Sequence, residues 1–308
     1  KSLFEIAQYD AEGAERGGYS NYSYWRSTLR VFLKNKIAVL ALLVMVVLLT
    51  FTVIQPYLPN QKDPNVINLN PETGRQLLNT PPNDEFRFGT NSIGQDLWAR
   101  IWYGTRTSML LALLVATIRV IVGITVGALW GYVRKLDRFM TEVYNVLANV
   151  PTTIVYTLFA YILRPSLRTM IIAMTVLGWL PMSRFIRNQV VIIRDREYNL
   201  ASRCLGTPTS RIITRNVLPY LVSVIMLQFA LAIPLVIAGE VFLSYIGLGL
   251  PLSMPSLGNL VNSGRQLMMI RSMRYQLIYP SAVLSVVTIS FYIMGNAFSD
   301  AADPRTHV

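Results

Sequence analysis

Ile37-Ala-Val-Leu-Ala-Leu-Leu-Val-Met-Val-Val-Leu-Leu-Thr-Phe-Thr-Val-Ile54 runs for eighteen residues without a charge. A bilayer core of about 30 Å is crossed by about 20 apolar residues in a helix, because lipid offers the backbone no hydrogen-bond partner. This run predicts a transmembrane helix, and others like it follow. Met109–Val133 is interrupted only by Arg119, and Val143–Leu163 and Met170–Gln189 come next. Leu221–Leu250 holds Glu240, and Ile278–Phe298 is the last such run. The first run lies too far along the chain, and lacks the small-residue cleavage pattern, to be a removed signal peptide. The 308 residues are 53% hydrophobic and only 14% charged, whereas soluble domains carry about 25% charged residues. The fold class read from this pattern is an all-α membrane protein with six transmembrane helices.

The net charge of +12 points to nucleic acid, anionic lipid or membrane topology, and the placement of the charges decides among them. Lys and Arg concentrate before the first run, between the second and third, between the fourth and fifth, and in the tail. That side holds roughly twice as many as the other, which places both termini in the cytoplasm by the positive-inside rule. The excess positive charge reads as a topology signal, and no nucleic-acid partner is expected. One cysteine, Cys204, leaves no disulfide framework and no multi-cysteine metal site. One histidine, His307, removes HExxH zinc chemistry and a Ser-His triad. The chain divides into an N-terminal segment (1–36), a first span (37–55), a Pro-rich external subdomain (56–104), a core (105–303) and a short tail (304–308). Within the first segment Tyr19–Lys36 is amphipathic. Trp25, Leu29, Phe32 and Leu33 share one helical face, opposite Arg26, Arg30 and Lys34, which suits a helix lying in the headgroup layer or a plain basic flank.

The stretch 190–219 is too long for a connector. Glu197-Tyr-Asn-Leu-Ala-Ser-Arg-Cys-Leu-Gly206-Thr-Pro-Thr-Ser-Arg-Ile212 reads as two short helices with a stop between them. Gly206 can take the left-handed C-cap conformation. Thr207 can cap a second helix with Pro208 at its first position, and Pro219 closes it before the fifth span. The small pair Ala201-Ser202 would let the first helix enter a groove closely. An ordinary helical hairpin between spans remains an equal reading of these residues.

The same stretch resembles the "EAA" loop of ABC-importer permeases, roughly E-A-A-x3-G-x9-I-x-L-P. Glu197, Tyr198, Ala201, Ser202, Gly206, Pro208, Leu218 and Pro219 fall in its frame. Further stretches resemble the C-type membrane subunit of dipeptide and oligopeptide permeases. Phe88-Gly-Thr-Asn-Ser-Ile-Gly94-Gln-Asp96 through Arg106 is similar to that family's FGTDxxGRDxxSRxxxGxR. Ile237-Ala-Gly-Glu240-Val-Phe-Leu-Ser244-Tyr-Ile-Gly247-Leu-Gly249 is similar to AExxLSFLGLG, and Asp300-Ala-Ala-Asp303-Pro304-Arg305 to its closing D-x-x-DPR. Asn91 and Gln95 stand where Asp and Arg are usual, and Asn216 where His is common. Details around Gly206 and His307 most resemble Ami-type oligopeptide importers.

The resemblance implies a permease subunit that forms half of a translocation path for oligopeptides. Its partners would be a second homologous permease subunit, two ABC ATPase subunits coupled through the 190–219 loop, and an external peptide-binding lipoprotein. Gly89, Thr90, Asn91, Gly94 and Asp96 are then expected at an external contact, with Arg119 and Glu240 either lining the path or forming a structural pair. ATP and Mg belong to the partner subunits, since none of the five lysines follows a glycine as a P-loop requires. No cofactor or metal is expected in this chain, and no enzyme activity. Dipeptide or nickel permeases of the same family, and a secondary transporter with ionic residues at the midplane, are the alternatives.

Overall fold

The computed structural model describes residues 24–302. The DPR tail and the start of the amphipathic segment lie outside the described residues. Helix α1 (Tyr24–Lys34) and helix α2 (Lys36–Ile54) are separated by Asn35 alone. The Asn35 side chain accepts hydrogen bonds from the Ile37 and Ala38 backbone N–H groups and so caps α2. The amphipathic face of α1 is divided. Phe32 is buried against Ala297, Ala301 and the ring of Phe298, 6.2 Å away, whereas Leu29 and Leu33 stay exposed.

Helix α3 spans Leu97–Tyr132, beginning well before the Met109 read from hydropathy. Asp96 explains the early start: its carboxylate accepts from the Ala99 N–H at 3.1 Å and caps the first turn. A bend of 72° separates α4 (Arg134–Ala148) from α5 (Thr152–Leu163), so the expected third span is broken rather than continuous. Pro151 lies at the break, lacking the N–H to continue α4 and offering its carbonyl to Ile154 in the next helix. The expected fourth span is present as one stretch, Leu167–Arg194, in which α6 (Leu167–Val176) and α7 (Leu180–Arg194) are joined by a turn at Leu177–Trp179.

Beyond it come α8 (Glu197–Cys204), α9 (Thr209–Ile212), α10 (Val222–Tyr245), α11 (Leu257–Gln266) and α12 (Tyr275–Ala302). Two details of the predicted hairpin differ. Pro208, not Thr207, occupies the N-cap of α9. Pro219 does not close the helix: a π turn over Ile213–Val217 and a 3₁₀ turn over Leu218–Leu221 carry the helical path into α10. Widening the turn ahead of a proline relieves the clash and the missing bond that would stop a regular α-helix. Among the described residues five helical stretches are long and apolar enough to span a membrane, or six with α4 and α5 taken as one bent span.

The bundle is built around α3, which packs on α7 and α10. Gly123, Gly127 and Gly131 recur every fourth residue along its α7-facing side. A Cβ at Gly127 would sit 2.9 Å from the Ile186 Cβ, and one at Gly131 the same distance from the Val190 Cβ. Small residues at this spacing let two backbones approach, and in lipid such van der Waals contact, not water exclusion, holds helices together. Leu111, Val115, Ala116, Met174, Ile233 and Ile237 form a second packed layer where α3, α6 and α10 meet. Residues 58–96 form an irregular cap over one end of this bundle. Its pairing among the described residues is limited to the isolated bridges Leu69–Gln76 and Thr90–Asp96.

Candidate functional site

At the bundle end opposite this cap, α8 projects as an exposed arm. Tyr198, Leu200 and Leu205 are 44, 44 and 85% exposed, and Glu197, Ala201 and Pro208 are also exposed. Gly206 has φ +76° with no heavy atom within 4 Å of where a Cβ would stand. It therefore serves the left-handed turn and no close contact. Ser202 is half-buried, its hydroxyl donating to the Tyr198 carbonyl at 2.8 Å. Leu218 is half-buried and Pro219 exposed, both at the root of α10.

What fastens α8 is beneath it. Asn199 is fully buried, donates to the Ile193 carbonyl at 2.9 Å and accepts from Asn216. Asp195, between α7 and α8, meets Arg194, Arg203 and Arg134 at 3.2–3.3 Å. What burial Asp195 has pushes its carboxyl up, but Arg194, Arg203 and Arg134 outweigh this and hold it below the usual carboxylate range. The arm thus presents an apolar and small-residue surface outward on a base fixed by hydrogen bonds and ion pairs.

Glu240 is wholly buried in α10. It accepts from the hydroxyls of Ser256 (2.6 Å), Ser244 (3.1 Å) and Ser108 (3.2 Å) and from the Gly258 N–H (3.2 Å). Ser256 is also the N-cap of α11, and a Cβ at Gly258 would lie 2.5 Å from the carboxylate. One side chain therefore joins α3, α10 and the N-terminus of α11, an end where helix dipole and free N–H groups favour negative charge. The expected pairing with Ser244 is present. Pairing with Arg119 is not: Arg119 donates to the Met174 carbonyl from Nε (2.9 Å) and Nη2 (2.6 Å), and from Nη2 to the Tyr156 hydroxyl (3.2 Å). The reason is local. The break after α6 leaves the Met174 carbonyl without a helical partner, and Gly178 lies against the guanidinium, where any Cβ would collide with it.

The motif at 88–96 is built inward. Gly89, Thr90, Gly94 and Asp96 are buried, and Asn91 is half-buried. Thr90 donates its hydroxyl to the Leu77 carbonyl and accepts from the Thr80 N–H at 2.9 Å. The Asn91 carboxamide oxygen accepts from the Ile93 and Gln95 N–H groups. Gly89 has φ +75°, and a Cβ there would strike the Thr80 carbonyl and the Tyr275 ring. These five residues shape the turn entering α3 rather than presenting a contact surface. Ser92 and Ile93, at the tip, are the exposed members.

The family of binding-protein-dependent transport system inner membrane components matches this chain over residues 123–308. The chain belongs to that family. The N-terminal TM domain of oligopeptide transport permease C matches this membrane component over residues 23–82. It is 36% identical over 307 residues to the oligopeptide transport system permease protein AmiD of Streptococcus pneumoniae, covering 100% of this chain and 98% of that protein. It is 30% identical to the oligopeptide transport system permease protein OppC of Bacillus subtilis, covering 99% of this chain and 97% of that one. Its fold is similar to a chain of the MetNI methionine ABC transporter in an inward-facing conformation. That likeness has a TM-score of 0.50 at 17% identity and covers 66% of this chain and 96% of that chain.

Sequence reading gave no site role to four residues of this transport component that the geometry brings forward. Asn199 lies within the quoted stretch and Asn216 just beyond it, but an asparagine in a polar loop carries no sign of what it will pair with. Asp195 stands in an Arg-rich stretch where a lone acid is a natural hub. Asp137 follows the Gly127–Gly131 stripe and receives both Nε and Nη2 of Arg187, at 2.9 Å each, fixing α4 to α7.

Proposed function

We propose that this chain is one of two permease subunits of an ATP-driven oligopeptide importer in the bacterial cell membrane. The observation that carries the reading is the exposed α8 arm. Tyr198, Leu200 and Ala201 lie open on a helix anchored from below, with Leu205 open just past its end, a surface suited to a groove on another protein. Both termini and the 190–219 arm face the cytoplasm, where two ATPase subunits holding ATP and Mg receive α8. Residues 58–96 face outward, toward a peptide-binding lipoprotein. A second homologous permease completes the path. The oligopeptide assignment rests on the named activities of the relatives in Streptococcus pneumoniae and Bacillus subtilis.

The test uses Cys204, which is exposed on α8 and is the chain's one cysteine. In membranes holding the permease pair alone it reacts with a maleimide, and addition of the ATPase pair protects it. Ala201→Arg places a long charged side chain on the docking face, so it abolishes peptide uptake and ATPase recruitment while leaving membrane insertion intact. Cys204 labelling that ignores the ATPases, with full uptake in Ala201→Arg, overturns the docking role.

A further inference from the structure

Helix α1 rests on the bundle by one stripe and leaves two others open. Thr28 and Phe32, one turn apart, are buried, and Phe32 packs on Ala297, Phe298 and Ala301 in the last turns of α12. The next stripe round the helix is Leu29 and Leu33, which are 56 and 53% exposed. The one after it is Arg30 and Lys34, both exposed, and Lys36 past the break is exposed too. Residues four apart stand above one another on a helix, so these stripes are separate faces. The leucines are not an unfilled part of the contact with α12; they form a face of their own.

Two features fix what lies against this face. The first is position. Asn35 alone separates α1 from α2, and its backbone is extended (φ −80°, ψ 99°), so the helical path breaks there. The uncharged run of the first span begins at once beyond Lys36, which sets α1 at the edge of the hydrocarbon. Tyr275, at the other end of α12, donates to the Thr80 and Thr90 carbonyls of the cap, so α1 lies at the bundle end that bears the α8 arm. The second feature is charge. α1 holds no Asp or Glu, and among the described residues Arg30, Lys34 and Lys36 form no ion pair. The core of an interface with another protein is depleted in Lys, whereas three cations flank these two leucines. Leucines on one helical face with Lys and Arg on the next suit the boundary between acyl chains and headgroups, and anionic lipids attract such cations.

We infer that α1 binds the membrane surface itself: Leu29 and Leu33 enter the acyl boundary, while Arg30, Lys34 and Lys36 gather anionic phospholipid headgroups. The Phe32 clasp ties this lipid contact to the end of α12. The inference rests on the chain being a membrane component and not on the oligopeptide reading.

The experiment places the complete importer, in a Cys204→Ser background, in nanodiscs of equal parts phosphatidylcholine and phosphatidylglycerol. Leu33→Cys carries a bimane label, and one lipid at a time is brominated near the top of its acyl chains. Leu40→Cys on α2 and Glu72→Cys on the cap, both exposed positions, serve as the lipid and water references. Bimane at 33 should be quenched as at 40 and not as at 72, several-fold more by brominated phosphatidylglycerol than by brominated phosphatidylcholine. Arg30→Gln with Lys34→Gln should bring that ratio toward one. Raising the salt concentration should do the same in the parent protein, because it screens exposed charges, which covers a failure of the double variant to assemble. No quenching at 33 overturns the inference and shows the leucines covered by a partner protein or by water. Equal quenching by the two lipids overturns it too, leaving α1 a plain basic flank, as does a preference that neither salt nor the double variant lowers. A complex that quenches as expected but carries no peptide overturns the oligopeptide reading alone.

Discussion

Asn216 donates its side-chain N–H to the Asn199 oxygen at 3.2 Å and to the Ser202 hydroxyl at 3.3 Å. The arm that leaves the membrane is thus stitched to the chain that re-enters it, by residues of opposite limbs. Asn199 contributes a second stitch to the Ile193 carbonyl.

Asn216→Ala should loosen this arm without unfolding the bundle. Leaving the buried Asn199 oxygen unmet costs about 1–3 kcal/mol. Uptake should fall several-fold while the amount of complex in the membrane stays constant. Asn199→Ala should do more damage, because it also frees the Ile193 carbonyl. Uptake assays paired with immunoblots of membranes check both, and wild-type uptake in Asn199→Ala would show the stitching to be dispensable.

The Glu240 knot should behave as a structural joint. Ser256→Ala removes both a bond to the carboxylate and the cap of α11, at a cost of about 1–2 kcal/mol. Glu240→Leu strands three hydroxyls and an N–H, and should lower the melting temperature of the detergent-purified complex further than Ser256→Ala does. Glu240→Gln keeps the shape and should fall between the two. Equal melting temperatures across the three variants would contradict the joint.

Gly89 and Gly206 share a positive φ but not an environment. Gly206→Ala meets only the backbone penalty of about 1–2 kcal/mol for a left-handed L-residue, so the complex should assemble and transport at a reduced rate. Gly89→Ala meets the same penalty and also collides with Thr80 and Tyr275, so the cap should fail to seat. Limited proteolysis within residues 58–96 separates the two. Equal protease resistance in both variants would mean that the collision is relieved by local movement.

The orientation gives a labelling pattern. Glu72 is exposed on the 58–96 cap, and in a Cys204→Ser background Glu72→Cys should react with a membrane-impermeant thiol reagent added to intact cells. In cells lacking the ATPase pair, native Cys204 should react only after the membrane is opened. The reverse pattern would invert the topology.

The spans were legible because lipid imposes one rule on every residue, and an uncharged run such as Ile37–Ile54 has no other stable use. Where the helices break was less legible. The joint after α6 depends on Arg119, a residue on another helix, reaching the Met174 carbonyl, and no local pattern announces that reach. Pro219 carries a helix-stopping signal, but a wider turn before it changes the outcome. The 88–96 motif specified residue types faithfully without revealing direction. The resemblance implied an external contact for Thr90 and Asp96, yet both point inward, Thr90 to the backbone of the cap and Asp96 to the first turn of α3. At 190–219 the left-handed Gly206 and the exposed small residues followed from composition, whereas the buried Asn199 required knowing what lies under the arm.

The contact between Phe32 and Phe298 joins the first helix described to the last, and it has a consequence for biosynthesis. Synthesis proceeds from the N-terminus, so Phe32 emerges long before the residues that cover it. Until α12 enters the bilayer, Phe32 lacks the α12 residues that cover it and stays open to lipid headgroups and quality-control factors. Closure of this clasp marks a chain that has been made at least as far as α12, and a product truncated before α12 lacks it.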